Sequence, residues 1–186
     1  MRTDDVLNCL ECNPVIAAVG ADGFEAALCS PAQMIFHLGA DISSVQEVIR
    51  QAHAAEKYIF IHLDLAAGIG TDRAGVGYLA QCGADGIVST RSQIIRYAKE
   101  YNLVTVQRFF LLDSKGLDSI EETVKNTNPH LMELMPGVIG KAISRFSRGK
   151  TPVIAGGLIE TKAEITAAIS SGATAISTGS PHLWEL

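Results

Sequence analysis

The sequence predicts an α/β protein: a compact TIM (β/α)8 barrel with parallel strands, formed by a single domain over residues 1–186. The first observation is a regular alternation of eight strand-sized apolar runs with segments of helical period. The second is that these runs are apolar on both faces, which is typical of a parallel sheet covered by helices. Eight repeats favour closure of the sheet into a barrel.

Each apolar run has the length of a β-strand. The runs are residues 15–19, 33–38, 58–63, 86–89, 103–109, 130–134, 152–155 and 174–177. A doubly wound open sheet is the less favoured alternative, because the turn after the first run lacks the dinucleotide fingerprint and the chain has no Walker-type lysine. Since 186 residues is short for a barrel, we expect minimal loops.

Amphipathic segments between the runs predict the covering helices. Residues 44–56 and 94–101 place apolar side chains on one face and charged side chains on the other. Ser44 and Thr161 each precede a glutamate by three positions, which is the spacing of a capping box. Both residues are therefore predicted to cap helices.

Composition and charge exclude several classes of protein. A formal net charge of −5 argues against a broad surface for polyanions, but it leaves room for a local basic patch. The sequence has no apolar run long enough to span a membrane and no signal-peptide pattern at its start, which predicts a cytoplasmic protein. Four scattered cysteines predict reduced thiols, and the isolated pair Cys9 and Cys12 does not predict a metal or redox site. We expect no cofactor.

The last two apolar runs end in small residues that suit an anion. One leads into Gly156 and Gly157, and the other ends at Ser177 and Thr178. Backbone N–H groups beside glycine are unobstructed, and the carboxyl ends of strands seven and eight are the usual phosphate position in this fold. These four residues therefore predict a phosphate site, although a tight strand-to-helix turn also explains the glycine pair without a ligand.

Polar side chains gather at the ends of other predicted strands. They are His62, Asp64, Arg91, Gln107, Arg108 and Glu133. Arginine offers paired donors to phosphate, and carboxylates accept hydrogen bonds from hydroxyl groups, so the pocket suits a small phosphorylated polyol. The two-residue period of a strand predicts that His62 and Asp64 point the same way. With Glu133 they also form a candidate metal set, which is the less favoured interpretation.

These residues leave both a binding protein and an enzyme open. The predicted strands carry no lysine at their carboxyl ends, which argues against a Schiff-base aldolase. Acid–base chemistry by Asp64 and Glu133, as in an isomerase or lyase, requires only two carboxylates of suitable pKa. A barrel enzyme that acts on a small phosphorylated substrate is therefore the alternative function.

Five strings of residues, in order along residues 14–184, resemble one bacterial family. They are HLDLAAGI at 62–69, GIVSTRS at 86–92, VQRFFLLDS at 106–114, ELMPG at 133–137 and AGGLI at 155–159. In these strings the sequence is similar to the glycerol uptake operon antiterminator regulatory proteins. Several matching strings in order are far more specific than any one of them.

This resemblance implies a regulator rather than a catalyst. Such a barrel senses glycerol 3-phosphate and, when loaded, binds the mRNA leader of glycerol-catabolism genes and prevents premature termination. The ligand-binding residues that we expect are Asp64, Arg91, Gln107, Arg108, Glu133, Gly156, Gly157, Ser177 and Thr178. Two positions depart from the family pattern: Glu160 stands where a basic residue is common, and Gly179 follows Thr178 where an asparagine is common.

Two further features concern partners. Lys141, Arg145 and Arg148 follow helical spacing and predict a positive face for RNA, with an ordinary solvated helix face as the alternative. Apolar residues near the end of the chain predict either closure of the bottom of the barrel or a contact between subunits of a homo-oligomer, and we favour the first. They are Leu183, Trp184 and Leu186.

Overall fold

A computed structural model describes residues 3–20 and 22–185 and shows a closed parallel barrel. Its strands are β1 (Val15–Val19), β2 (Met34–His37), β3 (Tyr58–His62), β4 (Gly86–Ser89), β5 (Val104–Phe110), β6 (Leu131–Met135), β7 (Val153–Gly156) and β8 (Ala175–Thr178). Each strand pairs in parallel with the next, and β8 pairs with β1. The predicted TIM (β/α)8 barrel is confirmed.

Helices follow or precede the strands in strict alternation. They are α1 (Thr3–Cys12), α2 (Phe24–Cys29), α3 (Val45–Ala54), α4 (Arg73–Gln81), α5 (Ser92–Glu100), α6 (Ser114–Thr127), α7 (Gly140–Phe146) and α8 (Lys162–Ser170). Two short 3-10 turns lie at Leu63–Leu65 and Pro181–Leu183. Every predicted strand agrees with the observed one to within a single residue at either end. In the described part of the chain, no helix has the length and apolar character needed to cross a membrane.

The two predicted capping boxes have different outcomes. At the start of α8, Thr161 Oγ1 accepts a hydrogen bond from the backbone of Glu164, whose carboxylate accepts one from the Thr161 N–H, so this box is confirmed. At the start of α3, Ser44 makes no side-chain cap bond. The box at Ser44 is wrong because its partner, Glu47, pairs with Arg50 instead.

The interior of the barrel is apolar towards its amino end. Inward side chains of the strands, among them Ile16, Phe36 and Phe60, form one buried cluster. Val6 and Leu10 of α1 belong to the same cluster and are fully buried. Since α1 precedes β1, this helix closes the bottom of the barrel.

The role predicted for Leu183 and Trp184 is therefore wrong. Leu183 and Trp184 are buried in the second cluster, which lies between the outward faces of the strands and the helices. Trp184 Nε1 donates a hydrogen bond to the carbonyl of Thr178 at 2.9 Å, at the carboxyl end of β8. Leu186 lies outside the described residues. Leu183 and Trp184 thus lie near the top of the barrel, whereas α1 occupies the bottom.

Candidate functional site

Three strands direct polar side chains into the barrel near its carboxyl end. Arg108 of β5 donates through Nε to Glu133 Oε2 of β6 at 2.5 Å, and Ser177 of β8 donates through Oγ to Glu133 Oε1 at 2.5 Å. Glu133 is 0% exposed. Because a guanidinium and a hydroxyl both donate to its carboxylate, the buried charge is compensated.

Gly156 makes room for this cluster. A Cβ at Gly156 would lie 2.5 Å from both Glu133 Oε1 and Ser177 Oγ. Any larger residue would therefore displace the hydrogen bond between Ser177 and Glu133. Gly156 thus has a steric role beside the polar cluster, in addition to the phosphate role that the sequence suggests.

An open cavity of about 280 Å³ lies over the cluster at the carboxyl ends of the strands. Its lining residues are Ala18, Leu38, Arg108, Glu133, Met135, Gly157, Leu158, Ile159, Glu160, Ser177, Thr178, Gly179 and Ser180. Pockets for drug-sized ligands span about 300–1,000 Å³, so this cavity suits a smaller molecule.

Residues of the cavity wall next to β7 and β8 have unused hydrogen-bond donors. Within residues 3–20 and 22–185, the backbone N–H groups of Gly157, Leu158 and Gly179 donate no hydrogen bond. Gly157 and Leu158 both have left-handed backbones, with φ of 73° and 56°. Arg108 uses only Nε within the described chain, so its other guanidinium nitrogens also remain for a ligand. Together these donors suit an anion.

The carboxyl ends of β3 and β4 carry a separate polar cluster. The Asp64 carboxylate accepts hydrogen bonds from Ser89 Oγ at 2.7 Å and from the backbone and hydroxyl of Thr90 at 2.7 and 2.8 Å. Burial alone would raise the pKa of Asp64, but these hydrogen bonds outweigh it and hold the pKa below its ordinary value. Arg91 Nε lies 3.8 Å from the same carboxylate. Neither Asp64 nor Arg91 lines the cavity.

The expectation that His62 and Asp64 point the same way rests on a strand period that does not reach Asp64 in the structure. Strand β3 ends at His62 and a 3-10 turn begins at Leu63, so the two-residue period no longer applies at Asp64. His62 lies with Val88 on the inward face of the barrel and is 3% exposed. Its Nδ1 has no hydrogen-bond partner among the described residues. Burial, followed by the charge of Arg108, lowers the pKa of His62. The described residues include no cluster of His, Cys, Asp or Glu placed to hold a metal ion.

Gln107 lies on the outer face of β5 rather than in the cavity. Its Oε1 accepts a hydrogen bond from Thr127 Oγ1 at 2.6 Å, and its Nε2 donates to Ser92 Oγ at 3.2 Å. Neighbouring residues of a strand face opposite ways, so the inward position of Arg108 turns Gln107 towards the helices. Thr178 is likewise turned outward, and its hydroxyl donates to the Ile159 carbonyl at 2.8 Å, although the residue lines the cavity.

The predicted positive face on α7 is also corrected by the structure. Arg145 pairs with Asp118 at 2.6 Å and with Glu121 at 2.9 Å, so its charge is balanced by α6. Helix α7 ends at Phe146, which leaves Arg148 beyond it. Lys141 alone of the three predicted residues combines a position on α7 with the lack of an ion pair in the described chain.

The structure therefore brings together six of the expected ligand residues. They are Arg108, Glu133, Gly156, Gly157, Ser177 and Thr178. It places Asp64, Arg91 and Gln107 elsewhere. Two backbone donors, those of Gly179 and Leu158, were not predicted. Gly179 could have been found, because it directly follows the last predicted strand. Leu158 could not, because nothing in the sequence indicates its left-handed backbone.

A closed (β/α)8 barrel with an open cavity at the carboxyl ends of its strands, lined by apolar and a few polar residues, is the architecture of barrels that bind small molecules. The chain belongs to the glycerol-3-phosphate responsive antiterminator family, which matches residues 15–184. It is 32% identical over 184 residues to the uncharacterized protein YgcP of Escherichia coli (strain K12), covering 97% of this chain and 96% of that protein.

Two solved structures support the same assignment. The glycerol uptake operon antiterminator regulatory protein of Listeria monocytogenes has a TM-score of 0.88 and 31% identity, over 93% of this chain and 95% of that one. A glycerol uptake operon antiterminator-related protein of Thermotoga maritima has a TM-score of 0.84 and 28% identity, over 92% and 98% of the two chains. The resemblance seen in the sequence is confirmed.

Proposed function

We propose that this protein is a glycerol-3-phosphate-responsive transcription antiterminator of the cytoplasm. It binds glycerol 3-phosphate in the cavity and, when loaded, binds the mRNA leader of glycerol-catabolism genes. Membership of the family supports this proposal. The binding of glycerol 3-phosphate is supported by the set of unused donors around Arg108, because such donors at a barrel's carboxyl end suit a phosphate ester.

The phosphate is assigned to the wall next to β7 and β8. The N–H groups of Gly157, Leu158 and Gly179 approach it from the backbone, and the free nitrogens of Arg108 supply the positive charge. A phosphate accepts several hydrogen bonds at once, and a guanidinium matches its planar pair of oxygens.

The glycerol hydroxyls are assigned to the floor of the cavity. Ser177 Oγ donates to Glu133 and keeps its own lone pairs for a ligand hydroxyl. Glu133 has further acceptor capacity on its two carboxylate oxygens. Recognition of both ends of the ligand predicts that neither glycerol nor inorganic phosphate alone binds as well.

Glu160 is the residue that opposes anion binding. It lines the cavity, but it is exposed, and its backbone N–H donates to Glu164 at 2.8 Å. An exposed charge is screened by water and salt, so its cost to a bound phosphate is about 1 kcal/mol or less.

The alternative, a barrel enzyme using acid–base chemistry, is less well supported. Glu133 is held by Arg108 and Ser177, and Asp64 is held by Ser89 and Thr90 outside the cavity. The two carboxylates therefore do not face one substrate. Deoxyribose phosphate aldolases with the same barrel are only 10–12% identical to this chain, and that likeness shows the fold alone.

Calorimetric titration with glycerol 3-phosphate tests the ligand half of the proposal. Glycerol and inorganic phosphate are the reference ligands, and Gly157→Asp is compared with Gly157→Asn. A Cβ at position 157 approaches only the flexible end of Met135, at 2.7 Å, and aspartate and asparagine share a size and a tolerance of positive φ. We expect Gly157→Asp to weaken binding about tenfold more than Gly157→Asn, because of its charge. No saturable binding, or equal affinities in the two variants, contradicts this placement.

The RNA half is tested by fluorescence anisotropy with labelled leader transcripts of glycerol-catabolism genes from the same genome. We expect binding in the presence of glycerol 3-phosphate, and much weaker binding without it. Affinity should fall steeply with salt, since phosphate contacts release counterions. RNA that fails to bind the loaded protein overturns the antiterminator proposal and leaves the ligand site standing.

A further inference from the structure

Three consecutive loops at the carboxyl end of the barrel share one arrangement. In the loops that lead into α6, α7 and α8, an exposed aliphatic residue precedes an exposed lysine at the start of the helix. The three pairs are Leu112 with Lys115, Val138 with Lys141, and Leu158 with Lys162. Because β5, β6 and β7 are neighbours in the sheet, these loops lie side by side. We call these six residues the lysine rim.

The lysines of the rim have no structural partners. In the part of the chain that the structure describes, the side chains of Lys115, Lys141 and Lys162 make neither an ion pair nor a hydrogen bond. Other cations near the same end are paired, such as Arg73 with Glu100 at 2.7 Å and Arg91 with Thr71 at 2.9 Å. The first turn of a helix is also where a positive side chain is least favoured. Helix stability therefore does not explain the three lysines.

Acidic residues beside the rim mostly face the backbone. Asp113 accepts a hydrogen bond from the N–H of Gly116 at 2.8 Å, and Glu164 accepts one from the N–H of Thr161 at 2.9 Å. Their carboxylates stabilise helix starts and make no ion pair with the lysines, although their negative charge still offsets part of the positive charge nearby. Glu160 is an exposed acid of the same surface and offsets part of the positive charge.

The apolar residues of the rim are unusually open to solvent. Leu112 is 91% exposed, Leu158 is 66% exposed and Val138 is 46% exposed, and Phe110 beside them is 55% exposed. Large apolar side chains gathered on one surface mark an interaction site. Here the same surface carries three free cations, so charge complementarity points to an extended anion with apolar faces.

We propose that single-stranded RNA of the leader docks on the lysine rim, with its phosphates on the lysines and its bases against the apolar side chains. Single-stranded RNA combines these two features, whereas a duplex covers its base faces. With a net charge of −5, the rest of the surface repels such a polyanion, which confines binding to the rim. This assignment rests on the proposed function and adds the surface to which the leader RNA binds.

The rim is joined to the ligand cavity through Leu158. This residue lines the cavity and belongs to the rim, and its N–H is one of the unused donors. A phosphate held by the backbone of Gly157 and Leu158 fixes the loop from which Leu158 and Lys162 project. The ligand thereby favours one arrangement of the RNA surface, which is the coupling that a responsive antiterminator requires.

Two charge-matched triple variants test the assignment. One is Lys115→Gln with Lys141→Gln and Lys162→Gln, and the other is Arg96→Gln with Arg148→Gln and Lys150→Gln. The second set is also exposed and makes no ion pair with any residue that the structure describes. It lies on α5 and between α7 and β7, away from the rim. Leader RNA is titrated in the presence of glycerol 3-phosphate at several salt concentrations, and ligand affinity and thermal unfolding confirm that each variant is folded.

We expect the rim variant to lose at least about tenfold in RNA affinity. The slope of log affinity against log salt concentration, here called the salt slope, should become shallower by about 2, because each lost phosphate contact removes roughly 0.7. The second triple variant should keep the RNA affinity and the salt slope of the unaltered protein. A separate variant, Leu112→Ser with Val138→Ser, should weaken binding without changing the salt slope. RNA binding that survives in the rim variant, or falls equally in both triple variants, overturns this assignment alone. Failure of the unaltered protein to bind RNA overturns the antiterminator proposal together with it.

Discussion

The carboxyl end of the barrel has two halves that start from similar residues and differ in how they are completed. At β3 and β4, Asp64 is surrounded by Ser89, Thr90 and Arg91, and its carboxylate accepts three hydrogen bonds from within the chain. At β5 to β8, Arg108 and Glu133 also pair, yet residues that line the open cavity keep guanidinium and backbone N–H donors that no described residue uses.

This difference shows that polar residues at strand ends do not by themselves make a site. In the first half, local partners use the hydrogen-bonding capacity of the polar group, and the loops are held together. In the second half, donors remain after the internal hydrogen bonds are made. A binding site therefore lies where the chain supplies more donors than it uses.

Removal of Arg108 should have the largest effect on stability. Arg108→Ala leaves the Glu133 carboxylate buried without its charged partner, which is expected to lower the free energy of unfolding by about 3–5 kcal/mol. Arg91→Ala, in the other half, should cost about 1 kcal/mol or less, because its side chain is 56% exposed and 3.8 Å from Asp64. Urea denaturation measures both.

A double variant separates stability from binding at the same place. Arg108→Met with Glu133→Leu replaces the buried pair by apolar residues and should recover most of the lost stability. It should not recover affinity for glycerol 3-phosphate. Similar losses of stability in Arg108→Ala and Arg91→Ala would erase the distinction between the two halves.

Asp64→Ala should affect stability without affecting the ligand. Loss of the carboxylate leaves Ser89 and Thr90 without their acceptor, at an expected cost of about 1–3 kcal/mol in the free energy of unfolding. Because Asp64 does not line the cavity, the affinity for glycerol 3-phosphate measured by calorimetry should stay the same. A marked loss of affinity would mean that the β3–β4 half takes part in the site.

The smallest effect concerns pH and His62, which faces the barrel interior. Burial and the charge of Arg108 lower its pKa below the ordinary 6.5, so the unfolded chain takes up the proton first. The contribution of the neutral His62 to the free energy of unfolding is complete above pH 6.5. It is lost as the pH falls below 6.5 towards the lower pKa that His62 has in the folded protein. Denaturation between pH 7 and 5 should show a shallower loss of stability in His62→Gln than in the unaltered protein. Equal slopes would contradict a neutral buried imidazole.

The sequence allows the elements of the barrel to be predicted closely, because their signals are local. Apolar runs set the strands to within a residue, and the capping box at Thr161 is real. The same spacing at Ser44 fails because Glu47 has a competing partner, Arg50, one turn further on. A local pattern is reliable only where no nearby side chain offers an alternative contact.

Membership of the site was harder to predict, because neighbouring strand residues face opposite ways. Gln107 and Arg108 are both polar, so the pattern alone does not decide which of them faces inward. Asp64 follows the end of β3, where a 3-10 turn ends the alternation on which its prediction depended.

The sequence by itself determined the barrel, the order of its elements, the family and the polar ends of its strands, since periodicity, turn residues and ordered motifs are properties of short segments. Only the tertiary structure decided that α1 closes the bottom, that Asp64 and Arg91 serve their own loops, and that Arg108 keeps donors for a ligand. These outcomes depend on which residues meet across strands that are distant along the chain. Contacts of that kind follow from the closure and register of the barrel.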